Sequence, residues 1–256
     1  MITKVVISAA GQGTRMQELT KKRSKHLIEV DRKPFLFYVL DNLKKAGYND
    51  ITLVVGFESA LIKKFLDDHN FKVKIINQIE ILGPKEKIYG TACPLMCIKN
   101  INEQFLYLSG DNYYSVEDLK AVNIEDEFNY VSGIESNSPE NFGVLVPFDF
   151  AQGGSDGEFL KEIVEKPIWL GSGQAQDFVG KLINASLYKF TPEIFEKLSK
   201  IEKSSRGEYE ITDAVTLLAK DKKVKIKKMN GFWMDFGTPE DIEKLSNFLN
   251  GNSKKE

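Results

Sequence analysis

Ala9-Ala10-Gly11-Gln12-Gly13-Thr14-Arg15-Met16 follows directly on the apolar run Lys4–Ala9. Two glycines one residue apart let backbone N–H groups turn toward an anion, which suits a triphosphate. No Gly-Lys-Ser/Thr follows, so this is not a Walker A loop, and Met16 stands where a dinucleotide fingerprint needs its third glycine. By itself the pattern fits an ordinary tight turn after a strand equally well. The next stretch adds charge: Arg15, Lys21, Lys22, Arg23 and Lys25 face a single acid, Glu18. Lys21, Lys22 and Arg23 read as a solvated loop. Arg15 sits inside the glycine loop, where a guanidinium can clasp phosphate oxygens. Lys25 comes just before the apolar Leu27, Ile28 and Val30 and is expected to lie against ordered backbone.

Two acids are candidate metal ligands. Asp111 ends the apolar run Phe105–Leu108 after Ser109 and Gly110, and ligands of an open parallel sheet bind outside the carboxyl ends of its strands. A helix cap would be the structural use of such an aspartate, but Ser115 with Asp118 three residues on already supplies one. Asp235, in Gly231-Phe232-Trp233-Met234-Asp235-Phe236-Gly237-Thr238, likewise follows an apolar stretch and precedes a glycine. Magnesium usually takes one or two carboxylates together with substrate phosphates. Other chemistry is absent. Cys93 and Cys97 have no second pair or matching histidine for zinc and read as small buried residues. His26 and His69 sit in no nucleophile or metal pattern, and no Gly-x-Ser-x-Gly elbow occurs.

The elements that must position these residues are legible from periodicity. Phe35, Leu36, Val39, Leu40 and Leu43 form one face of a helix opened by Pro34 and closed by Gly47. Ile51–Val55 is apolar without alternation, as in a strand buried on both faces. Helix-like Glu58–Asp68, strand-like Lys72–Asn77, helix-like Thr91–Ile98 and strand-like Phe105–Leu108 follow. This order implies an α/β, doubly wound, mostly parallel sheet. After about residue 125 the texture changes. Asn129–Ser136, Gly143–Phe148, Phe159–Glu165 and Gly180–Phe190 read as strands. The turn cluster Gln152–Gly157 joins the second and third of these as an antiparallel hairpin. Helices start at Thr191-Pro192-Glu193 and at Thr238-Pro239-Glu240-Asp241, the latter with capping-box spacing.

A formal net charge of −2 argues against a dedicated nucleic-acid binder or a polybasic membrane clinger. The longest apolar run, Ala92–Ile98, is far below the ~18–20 residues of a membrane helix. The start lacks the charged flank and apolar core of a signal peptide. The chain reads as a globular cytoplasmic protein of one domain, residues 1–250. Residues 1–125 form its nucleotide-binding half, 126–250 its second half, and 251–256 a frayed tail.

Taken together, these pieces resemble the sugar-1-phosphate nucleotidylyltransferases, the NDP-sugar pyrophosphorylases. The resemblance runs from about Met1 to Leu249 and is closest to the glucose-1-phosphate thymidylyl- and uridylyltransferases. It is carried, in family order, by the glycine loop, Ser24-Lys25-His26-Leu27 with Lys33-Pro34, and Gly90-Thr91-Ala92. Gly110-Asp111-Asn112, Phe142-Gly143-Val144, Glu165-Lys166-Pro167, Arg206-Gly207-Glu208 and Trp233-Met234-Asp235-Phe236-Gly237 follow. The resemblance implies a Rossmann-like sheet with an inserted sugar-binding lobe, the nucleotide-diphospho-sugar transferase fold. It implies nucleotide contacts at Ala10, Gly11, Gly13, Thr14, Gln78, Gly90 and Thr91, and Mg²⁺ on Asp111 and Asp235. Arg15 and Lys25 would act on phosphates, with Asp111 and Lys166 also in the catalytic set. Gly143, Glu165, Lys166, Asn184 and Arg206 would hold the sugar phosphate. The expected reaction joins dTTP or UTP to a hexose 1-phosphate, glucose 1-phosphate first, with release of pyrophosphate.

Departures accompany the resemblance. Glu18-Leu19-Thr20 and Ser24-Lys25 stand where the family commonly has Pro-Leu-Thr and Pro-Lys. The stretch Gln78–Tyr89 is longer than usual, which leaves open whether Gln78 or Glu80 reads the base. The replaced prolines admit an alternative, a catalytically inactive nucleotide- or sugar-binding regulatory homologue. A transferase acting on a phosphate such as phosphocholine is a third reading, opposed by Glu165 and Asn184. An end near residue 250 leads to the expectation of no acyltransferase β-helix. Family members often assemble as dimers or tetramers, and the sequence selects neither.

Overall fold

Val5, Val6 and Ile7 are all fully buried because strand β1 (Lys4–Ala9) is paired on both edges and covered on both faces. In the computed structural model the described residues are 1–11, 13–20, 24–56, 59–84, 86–98, 101–148, 159–167 and 182–251. A short hairpin of β2 (Glu29–Val30) and β3 (Lys33–Pro34) precedes α1 (Phe35–Lys45), β4 (Asp50–Val55) and α2 (Ser59–Asp68). Then come β5 (Lys74–Asn77), α3 (Gln78–Leu82), α4 (Cys93–Met96), β6 (Phe105–Ser109), β7 (Asn112–Tyr114) and α5 (Val116–Ala121). The second half carries β8 (Asn129–Glu135), β9 (Gly143–Pro147), β10 (Leu160–Glu165), β11 (Leu182–Phe190) and α6 (Glu193–Leu198). The chain closes with α7 (Ile211–Lys220), β12 (Val224–Lys228), β13 (Trp233–Asp235) and α8 (Glu240–Leu249).

One large sheet runs through both halves in the order β10-β9-β11-β6-β1-β4-β5, with β8 on β11 and β12 on β8. β6, β1, β4 and β5 are mutually parallel, so their carboxyl ends open on one side. β11 enters antiparallel beside β6, and β9 and β10 form the expected antiparallel pair. Helices cover both faces. Val5 and Ile7 belong to a core with Leu36, Leu40, Leu119 and Leu245 from α1, α5 and α8, whereas Val6 packs with Leu95, Ile194 and Leu218 from α4, α6 and α7. The period-2 alternation of β1 therefore feeds two cores at once. β7 and β13 form a separate two-stranded ribbon in which Asp235 lies opposite Asn112.

Several local expectations shift. The helix expected over Thr91–Ile98 contracts to α4, with Pro94 in its first turn, while the Ala92 N–H donates to Tyr209 O instead (2.9 Å). α3, α7 and β12 are elements the periodicity did not mark. In β12, lysines alternate with Val224 and Ile226 on an edge strand, so a half-buried strand looks polar. Ser115 caps α5 as expected, accepting from the Asp118 N–H at 3.1 Å. At α8, Asp241 accepts from the backbone N–H of Gly237 and Thr238 at 2.9 and 2.7 Å. Cys93 and Cys97 are buried free thiols. The turn Gln152–Gly157 and the cations Lys21, Lys22 and Arg23 lie outside the described residues. Among the described residues, no helix is long and apolar enough to cross a membrane.

Candidate active site

A cavity of about 250 Å³ opens where β1 and β6 end. Ala10, Gly11, Gly13 and Arg15 border it from the glycine loop, Lys25 from the next turn, and Gln78, Gly90, Thr91 and Asp111 from three further segments. Residues from Ala10 to Asp111 thus converge on one space. Met16, in the place of the third glycine, is a core residue with no exposed surface; its N–H donates to Gly13 O (2.9 Å) and fastens the loop. Thr14 opens the 3-10 segment Thr14–Thr20 that follows. Gly13 is required twice over. It has φ +64°, and a Cβ there would stand 2.9 Å from the Lys25 Cβ.

The cations and acids pair across the cavity. Lys25 Nζ donates to Asp111 Oδ2, and the Ser109 hydroxyl donates to Asp111 Oδ1. Burial opposes the charge on Asp111, but Lys25 and Ser109 outweigh it and hold the carboxyl well below the usual carboxylate range. Arg15 Nη2 donates to Asp235 Oδ2 at 3.1 Å. Asp235 moves the other way: burial first, then the negative charge of Asp111, push its carboxyl up against the pull of Arg15. Gly237 makes room for the Arg15 guanidinium, since a Cβ there would meet Nη2 at 2.8 Å. Asp235 is itself held from α5. Asp118 accepts from the N–H groups of Asn230 and Gly231 at 3.0 and 2.9 Å, which fixes the segment entering β13.

Gln78 and Glu80 separate cleanly. Gln78 is buried in the cavity wall, and its Oε1 has no hydrogen-bond partner among the described residues. Glu80 instead accepts from Asn77 Nδ2 on the exposed start of α3 (2.9 Å). His26, which the sequence offered no reason to choose, also borders the cavity. Burial and then the positive Lys25 push its imidazole down to about 3, so it is neutral at physiological pH, with Nδ1 hydrogen-bonded to Ser24 Oγ at 2.8 Å.

A second, smaller cavity of about 80 Å³ adjoins the first and shares Ser8, Thr91 and Ser109 with it. Glu165, Asn184, Ser186 and Tyr188 lie in its wall. A β-bulge in β11 between Asn184 and Tyr188 shapes this wall. Asn184 Nδ2 donates to the Tyr188 hydroxyl at 2.6 Å, and its Oδ1 accepts from the Ser186 N–H at 2.9 Å. Ala185 O accepts from Asn112 Nδ2 and Trp233 Nε1, both at 3.2 Å, tying the bulge to the β7–β13 ribbon that carries Asp235. Gly143 lies opposite Glu165 in register, and a Cβ on it would come within 3.0 Å of Glu165 Oε1. Glu165 as a residue is exposed, yet protein packed around its carboxyl, and then Glu210, raises it against Arg206.

Lys166 and Arg206 border neither cavity. Lys166 follows Glu165 with φ +42°, its N–H on Phe142 O (3.0 Å). Arg206 Nη2 donates to the buried Glu210 at 2.7 Å, and Glu210 accepts from the Thr91 hydroxyl at 3.0 Å. Arg206 therefore joins the wall between the cavities through Glu210. Ser8, Ser109, Tyr188 and Glu210 were not singled out from sequence. Glu210 lies two residues beyond Arg206-Gly207-Glu208, and that nearness was the one hint the sequence held.

Asp111 and Asp235 offer hard oxygen donors close enough for the charge of one to raise the other, with the phosphate-type cations beside them. This donor set fits magnesium and not a soft metal. Among the described residues no group of three His, Cys, Asp or Glu could hold an ion alone, so the other positions would fall to water and phosphate.

The parallel strand ends, the glycine loop and the adjoining cavities define an α/β domain with a candidate ligand site at the carboxyl ends of its strands. The model of the nucleotidyl transferase family matches residues 4–252, and the chain belongs to that family. It is 34% identical over 93% of its length to a bifunctional sugar-1-phosphate nucleotidylyltransferase/acetyltransferase of Sulfurisphaera tokodaii, covering 53% of that protein. It is 29% identical to a UTP–glucose-1-phosphate uridylyltransferase of Haloferax volcanii, with 95% of each chain covered. The chain spans about half the length of several curated relatives it matches. Among solved structures, UDP-glucose pyrophosphorylase complexed with UDP-glucose superposes with a TM-score of 0.78 at 22% identity, covering 99% of this chain and 100% of that one. This likeness bears out the α/β architecture.

Proposed function

We propose that the chain transfers a nucleotidyl group from UTP or dTTP to a hexose 1-phosphate, releasing pyrophosphate, with glucose 1-phosphate as the first substrate to test. The observation that carries this reading is the shared wall: a cation-bearing phosphate cavity and a hydroxyl- and amide-bearing cavity meet at Ser8, Thr91 and Ser109. A sugar phosphate in the smaller cavity would face the α-phosphorus of a nucleotide in the larger one.

The backbone of Gly11 and Gly13, with Arg15, would hold the triphosphate, and Lys25 would stay with the α-phosphate as charge develops there. A phosphate monoester is already an anionic nucleophile, so attack in line with the departing pyrophosphate needs no strong general base. The neutral, fully buried His26 is consistent with that. Asp111 and Asp235 would hold Mg²⁺, which when bound neutralises the polyanion and polarises the phosphoryl oxygens. Positioning and charge neutralisation then supply the catalysis. The unsatisfied Gln78 Oε1 would accept a hydrogen bond from a base N–H, such as the ring imide of uracil or thymine. Asn184 and Glu165 would take sugar hydroxyls.

The test is pyrophosphate release with Mg²⁺, crossing dTTP, UTP, CTP, ATP and GTP against glucose, N-acetylglucosamine and mannose 1-phosphates. A best pair containing UTP or dTTP supports the reading and fixes base and sugar together. No release in any combination overturns it in favour of a binding homologue.

A further inference from the structure

Six residues other than glycine have positive φ among the described residues. Four are explained by their local structure. Asp31 (φ 47°) and Arg32 (φ 66°) are the two central residues of the β2–β3 hairpin, where a two-residue turn of this hand requires them. Asn70 (φ 56°) and Lys222 (φ 54°) each follow a helix as its left-handed cap, with Phe71 N on Leu66 O at 2.9 Å and Lys223 N on Leu218 O at 3.1 Å. Of the remaining two, Lys166 follows the wall residue Glu165, and Ser186 itself borders the second cavity. Ser186 has φ +55° in the middle of β11, within the bulge, a backbone position at which glycine is the unstrained residue.

Strain held at a cavity wall by a residue that could have been glycine points to the side chain as its reason. Here the side chain is a hydroxyl bordering the smaller cavity. The neighbouring backbone is fully occupied: the Ser186 N–H donates to Asn184 Oδ1 (2.9 Å), and Ser186 O accepts from the Tyr114 hydroxyl (2.9 Å). These bonds hold the left-handed turn and fix the direction of Cβ. The hydroxyl is close to that of Tyr188, and a serine oxygen that meets one partner keeps capacity for another.

We propose that Ser186 is a specificity-determining residue whose hydroxyl hydrogen-bonds a hydroxyl or amide substituent of the sugar 1-phosphate. This rests on the functional reading above and adds a contact to it. Binding of glucose 1-phosphate, N-acetylglucosamine 1-phosphate and UTP is measured by calorimetry for the wild-type chain, Ser186→Ala and Ser186→Gly, alongside the melting temperature of each. Ser186→Ala keeps the strain and removes the hydroxyl, whereas Ser186→Gly removes both. Both variants are expected to bind whichever sugar phosphate the wild type prefers about 3- to 12-fold more weakly, the worth of one neutral hydrogen bond, with UTP affinity within about twofold. Ser186→Gly should melt above Ser186→Ala by on the order of 2–4 °C, because only glycine relaxes the backbone. Unchanged sugar affinity in Ser186→Gly overturns the proposal even if the alanine variant folds poorly. A wild-type chain that binds UTP but neither of these sugar phosphates, and releases pyrophosphate with no hexose 1-phosphate, overturns the functional reading, and the proposal with it.

Discussion

The two cavities are built by opposite means. The larger one sets full charges against each other, Lys25 with Asp111 and Arg15 with Asp235, on loops that leave parallel strand ends. The smaller one has a single carboxylate, Glu165, among otherwise neutral groups, with the Asn184 amide, the Tyr188 hydroxyl and a bulged antiparallel strand fixing one another. The difference follows from what each would hold. A triphosphate is met by charges that can change partners when it arrives, whereas a sugar is discriminated by donors and acceptors already fixed in place. Only the first needs mobile electrostatics, and only the second needs a backbone held against its preference.

Variants can break this contrast. Asp111→Asn should lower turnover about 10²- to 10³-fold, measured as pyrophosphate release, since it removes one of the paired charges of the larger cavity. Chelation of the metal should abolish the same signal. Gly237→Ala drives a methyl into the Arg15 guanidinium and should cost roughly 10- to 100-fold in kcat, with the KM for sugar phosphate little changed. Asn184→Ala should do the converse, raising the KM for sugar phosphate about 10-fold while leaving that for nucleotide within about twofold.

A smaller effect sharpens the comparison within the larger cavity. The carboxyl of Asp111 is depressed in the folded chain, so its charge contributes stability above the unfolded carboxylate pKa, and this is lost as pH falls through the folded value. Asp235 is raised, so its ionisation costs stability as pH climbs from the usual carboxylate range through its folded value. In the ligand-free protein at pH 7, Asp111→Asn should lower the melting temperature and Asp235→Asn should raise it, by about 2–4 °C for each kcal/mol. The Asp235→Asn difference should vanish as the pH falls to about 4, the ordinary aspartate range, whereas the Asp111→Asn difference should begin to shrink only below it. Thermal scans at pH 7 and pH 3.5 check the signs.

What could be read from the chain follows the same division. The glycine loop, Lys25 and Asp111 were legible because each abuts an apolar strand, and strand ends of an open sheet are where ligands collect. The pairing of Arg15 with Asp235 was not, since it joins residues 220 apart in sequence. Asn184 came only through family resemblance, because its role depends on a bulge that no apolar pattern announces. Nothing in the local spacing marks Glu210, whose carboxylate is buried and accepts from the Thr91 hydroxyl. In the fold, β12 was hidden by its lysines, and α4 looked longer than it is because Ala92, Leu95 and Ile98 are buried whether or not helical hydrogen bonds continue around them.

The cross-paired charges also bear on how a nucleotide arrives. At a distance, Arg15 and Lys25 are offset by Asp235 and Asp111, so these four groups together project little field into solvent. Long-range steering by them is therefore weak, and attraction develops only at contact, when phosphate takes the carboxylates' place. Stopped-flow association of UTP should consequently show a shallow dependence on ionic strength for the wild-type chain, and a steeper, faster one for Asp235→Asn, in which Arg15 faces solvent without its counter-charge.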